Sequence, residues 1–283
     1  MESITRTAYS GLLQTCMLLR RPYPVYPNTT LNEKLNIRKE DKLGVGVYPY
    51  LGFLGIGNGG HKLGLGPDGL MAPDPTQQES INASPFKMMP FVLREITDDL
   101  DAVQRARYAL RREEEYAGVR YYAYYLLRMD LSNVNPALEY IVIDGDTKTV
   151  SSYVPDASVL NPVPRELSPV GVNTTDGDYI SATAKMPVVF TKEDMDELRN
   201  MAKIKFGHEK YAIISEIVTV TAVDKDVDSP APGNSTIPFK EAICAQVASF
   251  IPAFVAAKFS QSGYDVMLDA GTTEPLFQTG APE

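Results

Sequence analysis

The segment Gly55-Ile-Gly57-Asn-Gly59-Gly60 has the spacing G-x-G-x-x-G, which in dinucleotide-binding folds cradles a pyrophosphate. In those folds the last glycine opens a helix whose N-terminus holds the phosphates. Here the sequence continues HKLGLGPDG, whose glycines and proline oppose a helix. The P-loop pattern also fails, because His61 stands at its lysine position and no serine or threonine follows Lys62. The sequence therefore predicts an ordered glycine-rich segment and no cofactor.

Histidine chemistry has two candidates, His61 in this segment and His208 just past a predicted helix. Members of a catalytic triad are distant in sequence, so either could serve one, but no G-x-S-x-G nucleophile motif is present. Glu216 lies among apolar residues in IISEIV, and burial would raise its pKa. A hydrolase that uses His208 and Glu216 requires both side chains in one cleft. We favour a helix-end cation for His208, an arginine-paired carboxylate for Glu216, and no catalytic residue.

Metal ligation has little support in the sequence. Asp144-Gly-Asp146 and Asp176-Gly-Asp178 resemble fragments of calcium loops but lack the twelve-residue pattern with its terminal glutamate, and turn chemistry explains both. Two histidines and two scattered cysteines do not provide a zinc cluster. Cys16 and Cys244 lie near opposite ends of the chain and indicate a reducing compartment. We predict no metal site.

Tyrosine is the remaining residue type with a chemical use, since its ring stacks on sugars and bases and is enriched in protein interfaces. Six of the 16 tyrosines fall between residues 92 and 130, a segment whose pattern predicts a helix. They are Tyr108, Tyr116, Tyr121, Tyr122, Tyr124 and Tyr125. A protein contact is favoured, burial in the chain's own core stays open, and a glycan- or ligand-binding module is the alternative function.

The overall charge argues against a nucleic-acid partner. The chain of 283 residues has a formal net charge of −9, whereas phosphate binding starts from a basic surface. A hydrophobic fraction of 44% and a charged fraction of 22% are typical of a globular protein with a sizeable core. The first residues lack the basic start and the apolar run of a signal peptide, so synthesis in a cytoplasm is expected.

The elements that would position these residues suggest an α+β protein. Hydrophobic periodicity and capping signals predict helices at residues 3–20, 92–130, 191–207 and 237–259. Residues 138–224 predict a β-sandwich or mixed sheet against which these helices pack, with hairpin turns at the two Asp-Gly-Asp sequences and a loop over 224–234. We expect two parts, an extended glycine- and proline-rich N-terminal arm with a short helix (1–90) and an α+β core domain (91–283).

The predicted last helix is apolar nearly all round, which requires burial in a core, a subunit contact or a membrane. Its uncharged run from Ala242 to Ala257 is 16 residues long and contains Pro252, which is short for a bilayer. We therefore expect no membrane insertion and predict burial within the chain or against another subunit.

The segment KYAIISEIVTVTAVDKD (Lys210–Asp226), together with the glycine-rich apolar arm, resembles tailed-bacteriophage virion proteins. The resemblance covers about Tyr179–Asp226. It implies a structural subunit, made in the host cytoplasm and carried in the virion, that forms a cyclic homo-oligomer with other virion proteins in the neck, collar, tail or baseplate. The expected interface residues are Tyr48, Tyr50, Phe53, Leu54, Ile56, Tyr121, Tyr122, Tyr124, Tyr125, Phe250 and Phe254.

Overall fold

The structure, a computed structural model, describes residues 4–65, 69–145, 147–162, 178–257 and 263–276. The α-helices of this part of the chain are α1 (Ala8–Leu19), α2 (Leu31–Leu35), α3 (Ala102–Arg105) and α4 (Lys192–Phe206). Its strands are β1 (Thr5–Arg6), β2 (Tyr50–Gly57), β3 (His61–Leu65), β4 (Met71–Pro75), β5 (Met88–Met89), β6 (Val92–Glu95), β7 (Tyr108–Tyr116), β8 (Val119–Arg128), β9 (Ala137–Asp144), β10 (Thr147–Ser152), β11 (Tyr179–Thr183), β12 (Lys185–Phe190), β13 (Ile213–Ala231), β14 (Ser235–Ala256), β15 (Tyr264–Asp269) and β16 (Thr272–Pro275). The predicted mixed α+β class is confirmed, with strands predominating.

The chain divides into two compact units. The first contains residues 1–129 and 189–264, and the second contains residues 130–188 and 265–283. The second unit holds an antiparallel sheet in the order β10-β9-β11-β16. The boundary predicted at residues 90 and 91 does not coincide with any boundary of this division.

An eight-stranded sheet forms the core of the first unit, in the order β1-β14-β13-β2-β8-β6, with β5 beside β2 and β7 beside β8. All its pairings are antiparallel, so this sheet is not of the mixed form. Its spine is the hairpin of β13 and β14, which is closed by a turn at Pro232–Asn234 and pairs from Ile213 with Ala256 to Ala231 with Ser235. The loop predicted over 224–234 is therefore mostly strand.

The helix predicted over residues 92–130 is wrong. This stretch contains strand β6, the four-residue helix α3 and the hairpin of β7 and β8. The hairpin turns at Ala117 and Gly118, which both have positive φ (51° and 78°), as a type I′ turn requires. Strand β8 is buried from Tyr121 to Leu127, so both of its faces are covered. A strand covered on both faces is apolar without alternation, which imitates a buried helix in the sequence.

The helix predicted over residues 237–259 is wrong for the same reason. Strand β14 is buried continuously from Glu241 to Ala248. The strand has a β-bulge at Cys244, whose φ is 54°, where its pairing with β13 shifts register. The Asn32 side chain compensates for this bulge, since it donates to Ala242 O at 3.0 Å and accepts from Ala245 N at 2.9 Å. The apolar character was read correctly, but it belongs to a central strand.

The extended arm predicted for residues 1–90 is not present in the described part of that segment. Helix α1 begins where Thr7 N donates to Ala248 O on β14 at 2.9 Å, and the Thr7 side chain caps the helix. Strand β2 lies between β13 and β8, with Phe53, Leu54 and Ile56 completely buried. The glycines that suggested an arm allow close strand packing, because a Cβ on Gly55 would stand 2.8 Å from Val218 Cγ2.

Several short-range predictions are confirmed. Helix α4 begins at the capping residue Thr191, which forms a capping box with Asp194, and ends at Gly207 with φ of 78°. The first Asp-Gly-Asp turn joins β9 to β10, and the predicted strands over 179–190 and 211–223 are present in β11, β12 and β13. The second turn, at 176–178, lies largely outside the described residues.

Candidate functional site

Glu216 is buried on β13 in a polar cluster that the sequence did not identify. Its carboxylate accepts from the Gln78 side-chain amide and, at 3.0 Å, from Phe86 N. Burial raises the pKa of Glu216, while these two hydrogen bonds and the Lys34 ammonium oppose the increase. The partner of Glu216 is thus an amide and a backbone N–H, where the sequence suggested an arginine.

The space beside Glu216 is too small for a substrate. The cavity measures about 10 Å³, close to the least that holds one water molecule. Its lining includes Gly60, Gln78 and Ser215 but not His208. His208 is exposed at the turn Glu209–Tyr211, where its Nδ1 accepts from Lys210 N at 3.0 Å. The structure therefore does not bring the two predicted hydrolase residues together in this cavity.

The tyrosine-rich segment lies in the core instead of on a helix surface. Tyr121, Tyr122, Tyr124 and Tyr125 are all buried on β8. The Tyr125 hydroxyl donates to Glu114 Oε1 at 2.5 Å, which leaves neither ring nor hydroxyl free for a sugar. The surface required by a glycan-binding module based on these tyrosines is absent from the described residues.

Arg111 on β7 contacts two of these tyrosines, Tyr122 and Tyr124. It is buried, its guanidinium lies 3.4 Å from the centre of the Tyr122 ring, and its Nη2 is 2.8 Å from Asp99 Oδ2. Its Nε donates to the Tyr124 hydroxyl at 3.0 Å, and Tyr124 donates to Asp99 Oδ1 at 2.5 Å. A further hydrogen bond, from Arg111 Nη1 to Ser229 Oγ at 2.8 Å, connects β7 to β13. The charges of Arg111 and Asp99 are thus paired with each other inside the chain.

The predicted interface residues separate into two groups. Eight of the eleven are buried within this chain and are unavailable to a partner in this fold: Phe53, Leu54, Ile56, Tyr121, Tyr122, Tyr124, Tyr125 and Phe250. Tyr48 is half-buried, and Tyr50 and Phe254 are exposed. Tyr50 is engaged, because its hydroxyl donates to Asp224 Oδ2 at 2.8 Å. Phe254 packs edge-on against His61, with ring centroids 4.7 Å apart.

His61 begins a hairpin of β3 and β4 whose apolar side chains are exposed. Leu63 pairs with Pro73 and Leu65 with Met71, and residues directly opposite in an antiparallel pair point to the same face. We call the face formed by Leu63, Leu65, Met71 and Pro73 the ribbon face. Leu63, Leu65 and Met71 are 68%, 72% and 59% exposed. Lys62 and Asp74 lie on the opposite face, so the hairpin is amphipathic.

A second exposed apolar surface lies at the end of α1. Leu13 and Cys16 pack inward with Tyr23, whereas the last turn leaves Met17, Leu18 and Leu19 exposed. The loop before β2 lies beside this turn, because the Tyr48 hydroxyl donates to Arg21 O at 2.8 Å. That loop exposes two further valines. We call the surface formed by Met17, Leu18 and Leu19 the α1 surface.

Neither surface is among the interface residues predicted from the sequence. The apolar residues of β3 and β4 were visible, and GPDG (66–69) between them is a turn signal. Only the register shows that Leu63, Leu65 and Met71 share one face. The α1 surface was hidden for another reason, because the helix predicted over residues 3–20 does not show by itself which of its apolar side chains stay exposed, as Leu19 does.

Glu241 on β14 is a buried carboxylate whose pKa is raised. Its Oε1 lies 3.1 Å from Arg38 Nε, and Asp41, which is held by Lys225 Nζ at 2.7 Å, stands near it. Burial raises the pKa of Glu241 to about 7, against the attraction of Arg38. A cavity of about 210 Å³ adjoins Arg38 and Asp41, below the roughly 300 Å³ at which small-molecule pockets usually begin.

Glu241 is expected to make the protein less stable as pH rises. The folded chain holds this proton up to about pH 7, whereas the unfolded chain releases it near 4.5. The folded state therefore binds more protons between these values, and the free energy of unfolding falls as pH increases through that window. Glu241→Gln should weaken this fall, measured by urea unfolding at about pH 5 and about pH 8. Glu115→Gln, which removes an exposed charge, should leave it unchanged; equal slopes in both variants would contradict the assignment.

The described residues contain no group of three or more histidine, cysteine, aspartate or glutamate side chains placed to hold a metal ion. Among the described helices, none has the length and apolarity needed to cross a membrane.

Comparison with known proteins gives one result. No curated protein and no solved structure matches the chain. A family model described as a family of unknown function, DUF7208, matches residues 1–282. Because this match spans nearly the whole chain, the protein belongs to the DUF7208 family.

Proposed function

We propose that this chain is a non-catalytic structural subunit whose copies associate in a larger protein assembly. The observation that carries the proposal is the exposed ribbon face, where Leu63, Leu65 and Met71 stand together on a hairpin outside the core. Contiguous exposed apolar side chains with polar surroundings mark protein contacts in soluble proteins. Burying each leucine would contribute about 1.5–3 kcal/mol to association.

The hairpin is also protected against unspecific strand pairing. Pro73 and Pro75 on β4 have no N–H to donate, and prolines in strands are characteristic of edges that do not accept another strand. We therefore expect the partner to cover the side chains of the ribbon face and not to extend the β4 edge. Such a contact depends on shape and so favours a defined assembly.

More specifically, we propose that this assembly is a ring in the neck, collar, tail or baseplate of a tailed-phage particle. The resemblance of Lys210–Asp226 to virion proteins supports it, and residues 213–226 of that segment form part of the spine strand β13. In such a particle, other virion proteins would be the neighbours of this subunit. Mass spectrometry of purified particles should detect the chain as a constant component.

Removing the ribbon face should abolish association. In Leu63→Asp/Leu65→Asp two apolar contacts become charged, so we expect the dissociation constant to rise by about 100-fold or more. Sedimentation velocity should show wild type as an oligomer and the variant as a 31.1 kDa monomer. Val103→Asp changes an exposed apolar residue on α3 and should leave the oligomer intact. A wild-type chain that stays monomeric at every concentration would refute the proposed function.

A further inference from the structure

His61 lies where the hairpin of β3 and β4 meets the main sheet. It is the first residue of β3, and its ring packs edge-on against Phe254 on β14, with centroids 4.7 Å apart. Side chains alternate along a strand, so His61 points to the same side of the hairpin as the ribbon face. Directly before it, Gly60 N donates to Ser215 Oγ at 2.8 Å. The Gly60 bond thus holds the base of the hairpin on β13, and the His61 ring holds the hairpin against β14.

The surroundings of this imidazole suit a neutral ring. Its Nδ1 atom is buried and has no hydrogen-bond partner in the described part of the chain. A neutral ring can leave one nitrogen as an unused acceptor, whereas a protonated ring carries an N–H on both nitrogens. Protonation in place would therefore bury a charged donor without an acceptor, which is costly. Burial accordingly lowers the pKa of His61.

The described residues place no carboxylate against the ring that would balance the proton, and burial is the cause of the lowered pKa. On the hairpin, Lys62 and Asp74 stand directly opposite each other on the other face. On β14, residues 251–256 around the contact are uncharged. On β13, the carboxylate of Glu216 is already hydrogen-bonded to a side-chain amide and a backbone N–H. The cost of protonating the docked ring is therefore not offset by its neighbours.

We propose that His61 is a proton switch, which docks the β3–β4 hairpin on β14 when its ring is neutral and releases the hairpin when its ring is protonated. In the released hairpin the ring is solvated and recovers the ordinary pKa of about 6.5. The docked form binds the proton less tightly, so acid favours release. The ratio of docked to released hairpin should be constant above about pH 6.5 and fall by up to about tenfold per pH unit below it, until the pKa of the docked ring is reached.

Hydrogen exchange of the hairpin at about pH 7.5 and about pH 5 tests the switch, with each rate divided by the intrinsic rate at that pH. A two-stranded hairpin alone is marginally stable, so a released hairpin loses protection. We expect the protection of amides in 61–65 and 71–75 to fall severalfold in acid, while that of α4 stays constant. The fall should be the same at low and high protein concentration, because docking occurs within one chain. A wild-type chain that never associates would refute the proposed function and leave this test unaffected.

Two variants isolate the imidazole. His61→Phe keeps a ring against Phe254 but binds no proton, so its hairpin should stay equally protected at both pH values. His208→Gln removes the other histidine of the chain, which is exposed, and should behave as wild type. In this second variant the ring Cε1–H signal of His61, observed by NMR, should titrate below pH 6.5.

Three results would overturn the switch. The first is unchanged protection of the wild-type hairpin in acid, and the second is a loss of protection that persists in His61→Phe. The third is a His61 titration above pH 6.5, which would show that the Phe254 ring stabilises the imidazolium by a cation–π contact instead of excluding it.

Discussion

Replacing Arg111 by methionine is expected to lower the free energy of unfolding by about 3 kcal/mol, since removal of one member of a buried ion pair leaves the other charge without its closest partner. Asp99 would lose its 2.8 Å contact with Arg111 and keep the Tyr124 hydroxyl, the Leu100 N–H at 2.8 Å and a more distant Arg105 Nη1, at 3.6 Å. The same change removes the hydrogen bonds to Ser229 and Pro230. A loss of this size is a large part of the total stability of roughly 5–15 kcal/mol that proteins have.

The matched control is Arg120→Met on the neighbouring strand. Arg120 forms an ion pair with Glu113 at the exposed end of the hairpin, and we expect no measurable change in stability. Adding Asp99→Asn to Arg111→Met should recover part of the loss, because it removes the carboxylate charge that Arg111 no longer balances. Urea unfolding followed by circular dichroism measures all three. Similar small effects for Arg111 and Arg120 would show that the buried network does not stabilise the fold.

The second large effect is expected at Gly60. A Cβ there would stand 2.5 Å from Ser215 O and 2.9 Å from Glu216 Cβ, and the first of these is a backbone atom that yields only if β13 moves. Gly60→Ala should therefore destabilise the protein by about 1–3 kcal/mol, as overpacking of a close-packed core does. The change would also disturb the bond from Gly60 N to Ser215 that holds the base of the hairpin.

Gly11→Ala is the same chemical change as Gly60→Ala, but it is expected to stabilise the protein. Gly11 lies in α1 and a Cβ there meets nothing within 4 Å, so alanine should stabilise the helix by about 1 kcal/mol. Thermal unfolding of the two variants should shift the midpoint in opposite directions. If Gly60→Ala were as stable as wild type, Gly60 would not be packed against β13 as closely as described here.

An element was predicted correctly when the residues that specify it lie within it or at its ends, and incorrectly when distant parts of the chain determine its burial. Helix α4 carries its signals at its own ends, in Thr191, Asp194 and Gly207, and the hairpin of β9 and β10 carries Asp-Gly in its turn. These local signals identify an element without its neighbours, and both elements were predicted. Strands β8 and β14 are covered on both faces by distant parts of the chain, so alternation is absent from their sequences.

The candidate site was less predictable, because exposure is a property of the whole fold. Phe53 and Leu63 stand ten residues apart in the same glycine-rich segment and look equivalent in sequence. Phe53 is buried between β13 and β8, whereas Leu63 lies on a hairpin outside that sheet. The prediction that this segment contacts a partner therefore named buried residues and omitted the ribbon face. The apolar character of the segment was visible in the sequence, but the register that separates its buried residues from its exposed ones was not.

Amide hydrogen exchange of the hairpin over a series of protein concentrations tests the central claim most directly. If copies associate through the ribbon face, amides within 61–65 and 71–75 should exchange more slowly as concentration rises, while those of α4 remain unchanged. The same residues in the Leu63→Asp/Leu65→Asp variant should exchange quickly at every concentration. Fast exchange of the wild-type hairpin at all concentrations, with the ribbon face always open to solvent, would contradict the account.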